Sequence, residues 1–333
     1  MRKRAGLLAL LAVAVLLLSG QSPATADPGT GPDGATSATL EAQLSAAVRA
    51  YNDAKGRLTT AQQRQAALTT QAQATQGRIV TLSNEVDEAV LTAYEGGRIR
   101  GFTVLLGSAS VSDFLDRATR LQAQLRSDDR VLRDLRATQA TYARQRAAID
   151  GEVATQRSQL ALMDARRKQA ETALAAAQAG TATTGPGGGT ASATPAPRNP
   201  DGSWPRESCS LPDPTTSGCL TPRTLHAYQE ARKAGFTHYT SCFRNGGSGE
   251  HPLGRACDFS ANASTFVDAR ATGADKAYGD RLAAWFLANA DQLAVLYVIW
   301  YKRIWLPGSG WRSYTGDGTP AGDHYNHVHL SVQ

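Results

Sequence analysis

The sequence predicts an α+β protein: a long antiparallel α-helical coiled-coil hairpin, a flexible linker, then a small α+β domain with an antiparallel sheet. Three observations predict it. Apolar residues step by four and three over two long stretches. A run of Gly, Thr, Ala and Pro follows them. The remainder holds every Trp, His and Cys of the chain and alternates short apolar runs with turn residues. The implied boundaries are a signal peptide over 1–26, the hairpin over 36–178, the linker over 179–203 and the domain over 204–333.

The chain opens with Arg2-Lys3-Arg4 and an apolar run from Ala5 to Leu18, ahead of Ala24-Thr25-Ala26. This order reads as a secretory signal cleaved before Asp27. The run is short for a membrane span, which needs about 20 apolar residues. The expected location is therefore secreted, extracellular or associated with the cell wall. Net charge is +6, and three of the positive charges lie in the signal. Acidic and basic residues are mixed elsewhere, which argues against nucleic acid as a partner.

From Thr39 to Tyr94 the seam runs through Leu40, Leu44, Ala47, Tyr51, Ala54, Leu58, Ala61, Leu68, Ala72, Ile79, Leu82, Val86 and Ala89. Gln65 and Thr75 interrupt it. A heptad seam drives two helices together, and at about 1.5 Å per residue this one reaches roughly 80 Å. Glu95-Gly96-Gly97 breaks the pattern. The apolar patch from Arg98 to Ser112 is expected to close the hairpin tip, and Ser112-Asp113 offers a helix cap. A second seam starts at Leu121 and continues through Leu125, Leu132, Leu135, Tyr142, Ile149, Val153, Leu160, Met163, Ala170 and Leu174. Gly180 to Ser203 has few large apolar residues and reads as a flexible linker.

In the last region, Thr221-Pro222 caps a helix running to about Lys233, with Gly235 as its stop. Thr237–Arg244 and Arg255–Ser260 read as strands, Tyr278–Ala290 as a helix, and Leu296–Trp300, Arg303–Trp305 and Tyr325–Val332 as strands. Cys209, Cys219, Cys242 and Cys257 are an even count in an exported chain, which suggests disulfides. Three connectivities are open. Cys209–Cys219 with Cys242–Cys257 is favoured, because the first closes a short loop and the second ties the strand before the His251 loop to the strand after it. His226 and His238 read as structural, and Trp300, Trp305 and Trp311 as core or cleft wall. Glu250 reads as a loop acid that adjoins His251.

Two stretches carry the chemistry. One is His251-Pro252-Leu253-Gly254-Arg255-Ala256-Cys257-Asp258; the other is His324-Tyr325-Asn326-His327-Val328-His329. Their imidazoles and carboxylate are the donors a tetrahedral Zn2+ takes, and catalytic zinc keeps a fourth position for water. As a strand, His327-Val328-His329 puts both rings on one face.

A His, six residues, an Asp and a later His-x-His resemble the zinc peptidases grouped with lysostaphin, D-Ala-D-Ala peptidases and hedgehog. The resemblance implies a zinc site of His251, Asp258 and His329, with His327 assisting the transition state. His324 completes a His-x-x-His-x-His pattern similar to murein endopeptidases of that group, which makes it a second candidate for the general base. Arg244, in Ser241-Cys242-Phe243-Arg244, resembles the Arg of the Ser-Gly-Tyr-Arg motif and would offset an oxyanion. The Glu that D-Ala-D-Ala peptidases use as base is absent from Gly322-Asp323-His324-Tyr325-Asn326-His327; Asp323 is shorter and would sit behind the ligands. Glu-His-Pro-x-Gly-Arg-Ala-Cys-Asp-Phe (250–259) and His-Tyr-x-His-Val-His (324–329) resemble an actinobacterial secreted family found behind coiled coils. The turn Tyr94-Glu95-Gly96-Gly97-Arg98, with Leu105-Leu106-Gly107-Ser108 and Asp113-Phe114-Leu115, is similar to N-terminal coiled coils of secreted murein hydrolases. Such arms hold the hydrolase inactive or couple it to a membrane-embedded division complex. The resemblance implies a secreted zinc peptidase, a D,D-carboxypeptidase or endopeptidase, acting on peptidoglycan stem peptides or crosslinks. The alternative is a zinc-containing domain that binds the wall or activates another hydrolase without cutting.

Overall fold

The structure, a computed structural model, describes residues 35–96, 103, 105–176 and 180–333. The expected signal peptide and its cleavage site lie outside the described residues. No helix among the described residues is long and apolar enough to cross a membrane.

The two seams form two helices, α1 (Ala35–Gly96, 62 residues) and α2 (Val111–Ala176, 66 residues), packed along each other. Six seam residues of α1 are buried, Leu44, Ala47, Ala54, Ala61, Ala72 and Leu82. Gln65, which interrupts the seam, is satisfied across it by Gln156 at 2.6 Å. Part of the patch expected to close the hairpin end, Ile99, Phe102 and Val104 included, lies outside the described residues; Leu106 and Val111 within it, and Tyr94 and Leu115 flanking it, are more than half exposed. The helix cap moves upstream. Ser110 Oγ accepts from the Asp113 amide at 3.1 Å, and Asp113 instead ion-pairs with Arg117 one turn on.

After α2 come β1 (Leu211–Pro212), β2 (Cys219–Leu220), α3 (Pro222–Lys233), β3 (Thr240–Ser241), a 3-10 turn (His251–Leu253), β4 (Ala256–Ser260), α4 (Gly273–Ala288), β5 (Val295–Trp300), β6 (Arg303–Leu306), β7 (Gly310–Ser313) and β8 (His327–Val332). Thr221 caps α3 by accepting from the Thr224 amide. Six strands form one sheet in the order β3-β4-β8-β5-β6-β7, antiparallel throughout. Both favoured disulfides are present, Cys209–Cys219 and Cys242–Cys257; they are compatible with an extracellular protein.

Strand alternation divides the sheet into two faces. Phe259, Val298, Trp300, Val328, Leu330 and Val332 join Leu282, Trp285 and Phe286 of α4 and Ala227 and Ala231 of α3 in one core. On the other face, Tyr297, Ile299, Ile304 and Leu306 pack against Leu44, Ala47 and Val48 of α1 and Ala170, Ala173 and Leu174 of α2. The base of the hairpin is thus a layer of the domain, and Asn52 donates to the Val295 carbonyl at 3.0 Å.

Two expectations need correcting. Residues 180–203 have no helix or extended strand, as their composition predicts, but they are laid along the domain. The Gly180 and Thr183 amides bond Ser313 and Trp311 carbonyls, Asn289 accepts from the Ser192 and Ala193 amides, and Ala193 and Ala196 are buried. Small residues let backbone hydrogen bonds do what apolar burial does not. The strand expected over 237–244 shrinks to two residues. The Cys242 and Phe243 amides are taken by Thr215 Oγ1 and Asp213 Oδ2, so they leave the ladder.

Candidate metal centre

Antiparallel register assembles the site. Asp258 on β4 pairs directly with His329 on β8, and Ser260 pairs with His327. Directly opposed residues share a face, so Asp258, His327 and His329 project together on the side that also carries the hairpin. His251 comes from the 3-10 turn before β4. That turn closes at Gly254, whose φ of +66° is left-handed and whose missing Cβ leaves room for Cys209 and Leu220.

His251, Asp258 and His329 are buried and form one group able to hold a metal ion. His251 Nε2 lies 3.1 Å from Asp258 Oδ2 and 3.2 Å from His329 Nδ1, which is 2.9 Å from Asp258 Oδ1. Metal–ligand bonds of about 2.0–2.1 Å at tetrahedral angles separate donor atoms by about 3.3 Å, so the spacing suits one small cation. The far ring atoms are tied down. His251 Nδ1 donates to the Cys242 carbonyl, and His329 Nε2 pairs with Ser331 Oγ at 2.7 Å. Such partners fix ring orientation and leave the inner nitrogens as lone-pair donors. Tyr297 stacks on the His329 ring at 5.6 Å between centroids.

The group opens into a cleft of about 410 Å³ lined by Arg244, Phe266, Tyr314, His324, Asn326 and His327. His327 Nε2 is 3.5 Å from Asp258 Oδ1. Asn326 Nδ2 donates to the Val267 carbonyl, which leaves its Oδ1 to accept from His327 Nδ1 at 2.8 Å. The His327 lone pair is then on Nε2, facing the cleft. His324 bonds the Gly322 carbonyl through Nδ1 and lies 4.6 Å, ring to ring, from His327. Arg244 reaches Asp258 Oδ2 at 3.4 Å from an exposed position.

Electrostatics follow from burial and crowding. Burial alone would raise the Asp258 carboxyl, but His327 and His251 beside it outweigh that and hold it well below its usual value. Burial pushes His324 well down, and lowers His327 and His329, the last to about 4. These rings are neutral at neutral pH, as a metal ligand or a base must be. Burial lifts the Tyr314 hydroxyl to about 12.

Of the six chemistry-bearing residues picked from the sequence, Asp258, His329, His327, His324 and Arg244 line this cleft, and His251 joins them through its contacts with Asp258 and His329. Other residues fall where structural roles put them. His226 bonds the Thr194 carbonyl, and His238 bonds the Ala261 carbonyl and stacks on Tyr278. Trp300 is fully buried and donates to Asp280. Asp323 turns away to Lys302 at 3.3 Å. Sequence reasoning missed Tyr314 and Phe266 as cleft walls, because single aromatics in loops carry no periodic signal. It also missed Glu250 as a buried partner of Arg49 on α1.

Residues 216–325 match the model of a protein family described as VldE, C-terminal domain. That stretch contains His251 and Asp258 and stops short of His327 and His329. Neither a curated protein nor a solved structure matches the chain.

Proposed function

We propose that this protein is a secreted, zinc-dependent peptidase that hydrolyses amide bonds in the stem peptides or crosslinks of peptidoglycan. The observation that carries the proposal is the buried His251–Asp258–His329 group opening onto a cleft that also holds an imidazole with its lone pair inward and an arginine. Zinc, when bound, lowers the pKa of a water ligand and polarises a carbonyl. His327 Nε2 accepts the proton that the attacking water gives up and returns it to the leaving amine, so the proton balance closes within the cleft. Arg244 offsets negative charge developing on the carbonyl oxygen. His324 sits beside His327 and is the second imidazole able to carry that proton.

The second reading keeps the metal and drops the chemistry: a wall-binding domain, or an activator of another hydrolase. No glutamate is among the residues lining the cleft, which favours this reading. The apolar residues exposed at the hairpin tip (Tyr94, Leu106, Val111 and Leu115) support a role for the tip in docking a membrane-embedded division complex.

Incubating the zinc-loaded protein with purified sacculi decides between the two readings. New amine ends that disappear with His329→Ala support the peptidase. Sacculus binding at full zinc occupancy with no new amines supports the binding module.

A further inference from the structure

The hairpin base and the metal ligands occupy the same face of the sheet, and specific contacts join them. The Arg49 guanidinium of α1 ion-pairs with Glu250 Oε1, and the Glu250 side chain is only 4% exposed. Arg255 approaches its other oxygen at 3.9 Å. The Glu250 backbone carbonyl accepts from the Leu253 and Arg255 amides at 3.2 and 2.9 Å, building the turn in which His251 sits. One residue earlier, Gly249 holds φ +86°, and a Cβ there would collide with the carboxylate of Glu41 from α1. Gln333, just beyond β8, donates to the Arg49 carbonyl at 3.2 Å. Tyr297, stacked on His329, belongs to the cluster that Leu44 and Val48 complete. Two of the three candidate ligands therefore lean on groups that α1 holds.

We propose that Arg49 is a positioning residue for the loop carrying His251, so that the hairpin base is part of the metal centre and its docking is coupled to metal binding. The inference rests on the metal-centre reading and is independent of peptidase activity. A buried ion pair adds little net stability over apolar packing, yet removing one partner strands the other charge. Without Arg49, the carboxylate of Glu250 gains most by turning to water, and that rotation drags the turn holding His251. Coupling is reciprocal, so metal must also tighten the base of α1.

The test uses the intact chain and Zn2+ alone, titrated against a chromophoric chelator. Arg49→Ala is expected to bind zinc about 10-fold or more weakly, in the range seen when outer-sphere partners of a metal site are removed. Arg49→Lys should recover most of that loss. Arg57→Ala, which breaks an exposed pair with Asp201, should bind like wild type. Hydrogen exchange on the wild type supplies a measurement that needs no variant. Zinc should slow exchange over 250–256 and over 44–52 of α1, with little change over 60–90. An Arg49→Ala protein with wild-type affinity overturns the proposal, as does zinc protection that stops at the domain and leaves 44–52 unchanged. If Arg49→Ala does not fold, the exchange measurement decides. A wild type that binds no zinc defeats the metal centre itself, which is a separate result.

Discussion

Burial works against ionisation of Asp258, and the neighbouring His327 and His251 outweigh it. Replacing Asp258 with Ala removes one candidate ligand and the charge that orients His329, so metal binding should fall by orders of magnitude; Asp258→Asn tests the charge separately. Chelator competition measures both, and a variant with wild-type affinity contradicts the assignment. The buried imidazoles also set a pH dependence for the metal-free protein. His324, His327 and His329 titrate near 6.5 when unfolded and lower when folded, at about 4 for His329. Between those values the unfolded chain binds more protons, so stability drops as pH falls from about 6.5. Asp258 extends the loss below about 3.8, where its unfolded form takes up a proton that the folded form refuses. The urea midpoint of the metal-free protein should be lower at pH 5 than at pH 7.5; an unchanged or higher midpoint at pH 5 contradicts the neutral, buried imidazoles. The candidate ligand triad was legible because His-x-His on a strand and an Asp seven residues beyond His251 are local patterns. Tyr314 and Glu250 were not, since their roles depend on which distant segment packs beside them.

The strands and helices of the domain follow their local signals. Thr221→Ala should cost about 1 kcal/mol through the lost cap on α3, read by chemical denaturation, and no loss would argue that the cap is idle. The hairpin seam was also legible, yet its docking face was not. Ser45, Val48 and Asn52 widen the buried stripe of α1 beyond the seam, and a stripe wider than a two-helix seam marks a third partner. Two of those three residues are polar, which hides the widening from a count of apolar residues. Val48 is 2% exposed between hairpin and sheet. Val48→Ala should therefore destabilise by about 1–3 kcal/mol, where the same change on a free arm would leave the domain untouched.

A hairpin base that covers one sheet face changes what the molecule can be divided into. Cutting the chain to 204–333 uncovers Tyr297, Ile299, Ile304 and Leu306 and removes Arg49 from Glu250. Such a fragment should self-associate and bind metal more weakly than the whole chain; a monodisperse fragment with full affinity would show that the hairpin is dispensable. Composition correctly marked 180–203 as lacking regular structure. It did not reveal that backbone hydrogen bonds would hold that stretch against the domain, because small residues leave no apolar trace.

The most direct measurement is the metal content of the purified protein, by mass spectrometry, beside Asp258→Ala with both disulfides verified. One equivalent of zinc in the wild type and none in the variant is the predicted result. A wild type without bound metal, after exposure to zinc and removal of excess, would contradict the convergence of His251, Asp258 and His329 on a single ion.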